Sequence, residues 1–321
     1  MKRYIPILFI LASVLTSCER EIVYDGAYED PKLVLQTVLQ EGSTVLDGAV
    51  SRSSFFLTDD MPQDRWLDGV TITVQRDDLA PVTYSDTALH MKQGTFRINL
   101  ATPLRAGEQI QVSASHPDYT TAQGTDVVMP APQVTIDACV WDSAAMECRV
   151  KLRFADHLNH RGVMGVQGVL NYTMYYAKDD SVDYTDSHLI SNNAIFAGQG
   201  NSFSTDYGFH SYAELFFSAE DAQGKVVELT MPASDPYFYE GNMSVRLVNM
   251  GMAVTSYSEH AYLYRQSLYA YLGLTGNDDF DIGAVATDLF GMEETVQVYT
   301  NITNGLGIVE ARSQTVLVTN F

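Results

Sequence analysis

The chain is short of positive charge, of cysteine and of long apolar runs. Only 19 of its 321 residues are Lys or Arg, against 40 Asp or Glu, which gives a formal net charge of −21 at pH 7. Binding to nucleic acid or to anionic headgroups rests on clustered cations that release counterions, so neither is an expected partner. There are three cysteines and no CxxC pair, which argues against a dithiol redox enzyme. The GxSxG elbow, the HExxH zinc motif and the P-loop are also missing, so the sequence assigns no catalytic residue, no metal ligand and no cofactor. What remains is 46% hydrophobic and 11% aromatic, enough to bury one or two cores, and the length suits two domains.

The N-terminus sets the expected compartment. MKRYIPILFILASVLTSC opens with two cations, followed by an apolar run from Tyr4 to Leu15 broken only by Pro6 and Ser13. A bilayer core needs roughly 20 apolar residues, so this run reads as a secretory leader and not as a spanning helix. Leu15-Thr16-Ser17-Cys18 resembles the lipobox of bacterial lipoproteins, in which the cysteine thiol is diacylated and the peptide is cut before it. Residues 1–17 are therefore expected to be a signal peptide, Cys18 the lipid-attachment site, and residues 18–31 an acidic tether. Two or more acyl chains on one residue give stable anchoring at about 0.8 kcal/mol per buried CH₂.

Beyond the tether the pattern is that of short strands separated by turn residues. Candidates are Lys32 to Leu39, Ser53 to Leu57, Gly69 to Arg76, Val82 to Ser85, Thr95 to Asn99, Gln109 to Ser115 and Thr121 to Met129. Their number and spacing predict an immunoglobulin-like or transthyretin-like β-sandwich over residues 32–130, ending at Met129-Pro130-Ala131-Pro132. Residues 131–321 are expected to form a β-dominated domain, with strands in GVLNYTMYYAKDD, YAELFFSAED, VVELTMP and SVRLVNMGMAV and a last one at Thr315 to Thr319.

Two local features stand out in that second region. In QVTIDACVWDSAAMECRVKLRF, strands Gln133 to Trp141 and Met146 to Phe154 flank a turn at Asp142 to Ala145. This register sets Trp141 against Met146 and Cys139 directly against Cys148, close enough for a cross-strand disulfide, with two buried free thiols as the alternative. Further on, the periodicity changes. Tyr257, Ala261, Tyr264, Leu268 and Tyr271 share one face of an amphipathic helix over 257–272, with Ser256 and Glu259 as a capping box and Gly273 at its C′ position. Tyr262 and Tyr269 lie off that face. They form either an exposed aromatic platform for a sugar or a partner protein, or side chains packed under a loop.

Several segments together resemble the Bacteroidetes-type outer-membrane lipoproteins of unknown function, the domain-of-unknown-function family 4249. The likeness lies in the acidic start after Cys18, KLVLQTVL at Lys32, WLDGVTITV at Trp66, LRAGEQIQVSASHPDYTTAQGTDVVMP from Leu104, FSAEDAQGKVVEL from Phe217 and VYTNITNGLGI from Val298 to Ile308. The family's aromatic residue after Gly-Ile is Val309 here. Members are commonly encoded beside a TonB-dependent receptor, so the resemblance implies a part in outer-membrane nutrient handling. By themselves, Asn301, Asn304, Gly305 and Gly307 suggest a tight turn needing positive φ, serving as a ligand-contacting loop or as a structural closure of the last sheet.

Other candidate sites have plain alternatives. His157 and His160 could share one side of a turn beside Asp156 but find no third ligand, and a solvated loop is the simpler reading. Asn277, Asp279, Asp281 and Asp288 are spaced as in a calcium loop, yet Ile282 occupies the position that needs glycine. Asp179, Asp180, Asp183 and Asp186 read as an exposed acidic loop. The leading expectation is a non-enzymatic, outer-membrane lipid-anchored protein that assists a TonB-dependent receptor at the cell surface, with a small nutrient, glycan or peptide as ligand and no nucleic-acid partner. A hydrolase built around Asp156 with His157 or His160, and an adhesin or assembly subunit, are the alternatives.

Overall fold

A computed structural model describes residues 30–53, 66–77, 79–85, 94–156, 162–175, 181–186, 189–191, 193–196, 202–203, 214–233, 244–271 and 298–321. The protein is mainly β. Its first strand shows why: in β1 (Leu33–Leu39) the inward positions Leu33, Leu35, Thr37 and Leu39 are buried while Val34, Gln36 and Val38 alternate with them. β2 (Val45–Arg52) and β5 (Thr95–Asn99) continue that sheet, and β3 (Thr71–Arg76), β4 (Val82–Tyr84), β6 (Gln109–His116) and β7 (Tyr119–Val127) form a second one in the order β4-β3-β6-β7. Leu35, Val50, Ile72, Phe96, Ile110 and Val112 meet in a core of their own. Residues 54–57 of the strand expected at Ser53 to Leu57 lie outside the described residues. β2 was not expected. Gly48 interrupts its pattern because the Phe96 ring and the Gln36 carbonyl occupy the space a side chain would need.

The second core lies between a three-stranded sheet and the far half of the first. β8 (Val134–Asp142), β9 (Glu147–Phe154) and β14 (Val226–Pro232) make the former in the order β14-β9-β8. The latter holds β10 (Val163–Tyr175), β11 (Ser181–Asp186), β12 (Ser202–Phe203), β13 (Glu214–Ser218) and β15 (Ser244–Tyr257). Met164, Tyr172, Phe217, Met231, Met250 and Met252 fill the space between them. A short helix α1 (Ala219–Ala222) is capped by Ser218, whose side chain accepts from the Glu220 N–H.

One strand joins the two halves. β16 (Leu306–Asn320) pairs in parallel with β1 through Leu306 to Ala311 and antiparallel with β15 through Arg312 to Asn320. It is therefore three times the length expected from Thr315 to Thr319, and the N-terminal sandwich is completed by the end of the chain. The run Val309-Glu310-Ala311-Arg312 hides the strand from alternation because Glu310 is buried from the other side, beneath a helix.

That helix is α2 (Glu259–Tyr271). It begins two residues later than expected: Tyr257 is the last residue of β15, and Ser258, not Ser256, is the cap, its Oγ accepting from the Ala261 N–H. Ser256 is instead buried in the strand, donating to the Pro130 carbonyl.

Candidate functional site

A buried polar cluster lies where α2 crosses the outer face of the large sheet. Alternation carries Val163 and Gly165 of β10, Glu214 and Phe216 of β13, and Thr255 and Tyr257 of β15 to this face, opposite the Met-rich core. Glu214 is 0% exposed. It accepts from the Tyr257 hydroxyl at 2.5 Å and from Gln167 Nε2 at 3.4 Å, and pairs with Arg265 of α2 at 3.4 Å. The Arg265 guanidinium also lies 5.4 Å from the centre of the Tyr257 ring. Gly165 makes room: a Cβ there would stand 2.3 Å from Glu214 Oε1. Burial pushes the Glu214 carboxyl above its ordinary pKa, against the pull of Arg265 and the Tyr257 hydroxyl, and burial likewise raises Tyr257.

A second buried carboxylate secures the start of the helix. Asp126, on β7, accepts from the Ser258 hydroxyl at 2.5 Å and from the Ala311 N–H at 2.7 Å, so three elements distant in sequence meet on one side chain. Burial raises its pKa, opposed by these hydrogen bonds and by His260. His260 itself stacks on Tyr299 and shares a 2.6 Å hydrogen bond with its hydroxyl, and the Tyr299 N–H donates to Ser267. Both carboxylates are held by partners on the elements they join, which is the chemistry of a latch. A substrate could reach Glu214 only if α2 lifted.

Tyr262 belongs to this seam. Its ring is half-buried edge-on to Phe216 at 5.5 Å, and its hydroxyl accepts from Gln266. The side chain of Tyr269 lies outside the described residues, so the expected aromatic pair is represented only by a packed Tyr262. Ala261, on the expected core face, is buried, whereas Tyr264 and Leu268 are half-buried, with the Tyr264 hydroxyl accepting from Gln36.

The cysteine hairpin differs from its expected register by two residues. Trp141, not Cys139, stands opposite Cys148, and Cys139 stands opposite Val150. The chain turns through Ser143 to Met146, Met146 taking a positive φ of 53°, and a bulge between Ile136 and Ala138 resets the ladder. The expected disulfide is not formed. Cys139 and Cys148 are free thiols on a diagonal, their sulfurs 3.3 Å apart. The contact lowers the Cys139 pKa and, with burial, raises that of Cys148.

The Asn-Gly segment is built into the sandwich. The Asn301 carboxamide accepts from the Val309 N–H and donates to the Val309 carbonyl, and Thr303 exchanges two backbone hydrogen bonds with Gln123 of β7. Asn304 and Gly307 have φ of 59° and 99°, whereas Gly305 is required by closeness, since a Cβ would stand 2.6 Å from Ala122. A cleft of about 590 Å³ opens beside it, lined by Asp30, Lys32, Thr120 and Asn304, and another of about 490 Å³ separates Leu263 and Gln266 from Val298 and Thr300. Cys18, His157, His160 and the acidic run 277–288 lie outside the described residues. Among the described residues no group of three His, Cys, Asp or Glu side chains is placed to hold a metal, and no helix is long and apolar enough to cross a membrane.

One family, described as a domain of unknown function (DUF4249), matches residues 19–317, a span that holds KLVLQTVL, the cysteine hairpin, α2 and the Asn-Gly closure. The chain belongs to that family. The match begins directly after Cys18 and ends within β16, so both cores and α2 lie inside the family's unit. No curated protein matches the chain.

Proposed function

We propose that this DUF4249 protein is a non-enzymatic lipoprotein of the outer membrane, anchored through acylated Cys18 and exposed at the cell surface, that assists a TonB-dependent receptor in capturing a small nutrient, glycan or peptide. The observation that carries this reading is the juxtaposition of a leader ending at Leu15-Thr16-Ser17-Cys18 with a family unit that starts at the next residue. Nothing but the tether separates the acylated residue from the folded body. The structure supports it indirectly: Glu214 and Asp126, the buried carboxylates that an enzyme would expose to substrate, are spent on latching α2 to two sheets.

Metabolic labelling with palmitate tests the anchor. Label on the protein, abolished in Cys18→Ala, is expected, and unlabelled protein in the soluble fraction would end the proposal. Extraction in mild detergent tests the partnership: a large β-barrel should co-purify, and repeated recovery of the chain alone would refute that part.

A further inference from the structure

Among the described residues, α2 roofs one end of the outer face of the large sheet. Register defines what lies beside it. Moving down the strands from Tyr257 and Arg312, successive cross-strand sets are Thr255 with Gln314, then Gln167 with Ala253 and Val316, then Val169 with Gly251 and Val318. The next is a row of four polar side chains on four adjacent strands, Thr185, Asn171, Asn249 and Asn320. The Thr185 hydroxyl donates to Asn171, and Asn171 donates to Asn249 at 2.7 Å. Central strand β15 therefore offers only Gly251 and Ala253 as a floor between the taller side chains of β10 and β16. A Cβ at Gly251 would meet nothing within 4 Å, and Val316 and Val318 are 58% and 63% exposed. From the rise and spacing of strands this is a shallow groove about 20 Å long and about 10 Å wide.

Its charge decides its occupant. In a chain with 40 acidic residues, the groove from Thr255 to Asn249 carries no ionisable side chain among the described residues. Among the described residues, the charges that flank it are Glu214, Arg265 and Arg312 at the roofed end and Asp183 and Arg246 beyond the amide row. A cationic ligand would find better surfaces elsewhere on this protein, and an anionic one would be repelled by it. Apolar floor and walls ending in carboxamides that both donate and accept match the C–H faces and hydroxyls of uncharged sugars. We propose that this groove along β15 binds a neutral oligosaccharide of three or four residues, its ring faces on Gly251, Ala253, Val316 and Val318 and its hydroxyls on the Asn171–Asn249–Asn320 row. The inference names the ligand class for the capture role proposed above and rests on that reading.

The test is titration calorimetry of the full chain in detergent with maltotetraose, cellotetraose and xylotetraose, and with a tetragalacturonate as the anionic control. At least one neutral tetrasaccharide is expected to bind, unaffected by added salt, while the anion does not. Gly251→Val, which raises the floor where space is open, should weaken binding more than tenfold without lowering Tm, and Asn249→Ala should weaken it similarly. Binding of no neutral probe, equal binding by folded Gly251→Val, or a preference for the galacturonate would overturn the proposal. So would self-association of the chain that Val318→Glu abolishes, since the face would then be an interface between copies. If the chain co-purifies with a receptor barrel yet binds none of the sugars, the groove assignment fails and the capture reading stands. A soluble, unlabelled protein that binds them reverses that outcome.

Discussion

The two cores of this protein solve the same problem with different materials. The N-terminal one is lined by Leu, Ile and Val from short strands whose other side faces water, as in β5, where exposed and buried residues alternate throughout. The second is filled by methionines, Tyr172 and Phe217, and its main strand β10 is buried or half-buried at every position but the last, because it is a central strand with β15 along one edge and β13 and β11 along the other. Flexible thioethers suit a space bounded by sheets of unequal length, whereas branched side chains fill a regular sandwich. The difference also sorts the electrostatics. Polar links in the first core lie at its rim, such as Arg76 with Glu108 at 2.6 Å, and those of the second lie beneath α2.

β16 belongs to both cores, so the largest effect should come from breaking it. Gly307 combines φ of 99° with a Leu35 carbonyl 2.1 Å from any Cβ. Gly307→Val should cost about 4 kcal/mol or prevent folding. In urea both cores should lose stability together, whereas a loss confined to one transition would show that β16 does not couple them. Next, Glu214→Ala leaves Arg265 and Tyr257 without their carboxylate and should cost about 3 kcal/mol, by loosening α2 first. Hydrogen exchange reads this directly: amides of α2 should lose protection before those of β1, and equal loss would erase the distinction. Ser258→Ala removes both the helix cap and a hydrogen bond to Asp126, for about 1 to 2 kcal/mol in the same unfolding measurement.

Acid separates the regions by sign. Glu214 and Asp126 have raised pKa values, so the folded state binds protons more readily than the unfolded one, and their contribution improves as pH falls from neutrality toward the ordinary carboxylate range. Glu108 is lowered, chiefly by its hydrogen bond from Arg76, so its contribution is lost as pH drops below about 4.5. Melting curves from pH 7 to pH 4 should show the α2 seam holding or strengthening while the sandwich rim weakens below that point, with the opposite order refuting the assignment. Smallest of all, Arg97→Ala breaks an exposed, solvent-screened pair with Asp47 and should leave the melting curve unchanged.

Much of the site was legible only in pieces. Alternation gave β1, β3, β5, β6 and β14 to within about two residues because each has one wet face. It failed for the first half of β16, where Ile308 to Ala311 are all buried and do not alternate, and for the helix start, where the Ser256–Glu259 capping box pointed two residues too early because β15 runs on to Tyr257. The cysteine hairpin slipped by two because both registers keep the same faces inward, and the turn, one residue later than expected at Ser143 to Met146 with Met146 at positive φ, chooses between them. The buried Glu214 had no local signal at all, since its partners come from β10, β15 and α2.

The amino-acid sequence by itself determined that this chain is β-rich, acidic and a member of its family, because these properties are set by composition, by periodicity over a few residues and by ordered short motifs. Tertiary structure decided that the last strand stitches two cores together, that two carboxylates are sealed under one helix, and that an uncharged groove is left beside it. Each of those depends on pairing between residues far apart in the chain, and the free energy of such pairings is written in packing and desolvation that no local pattern contains.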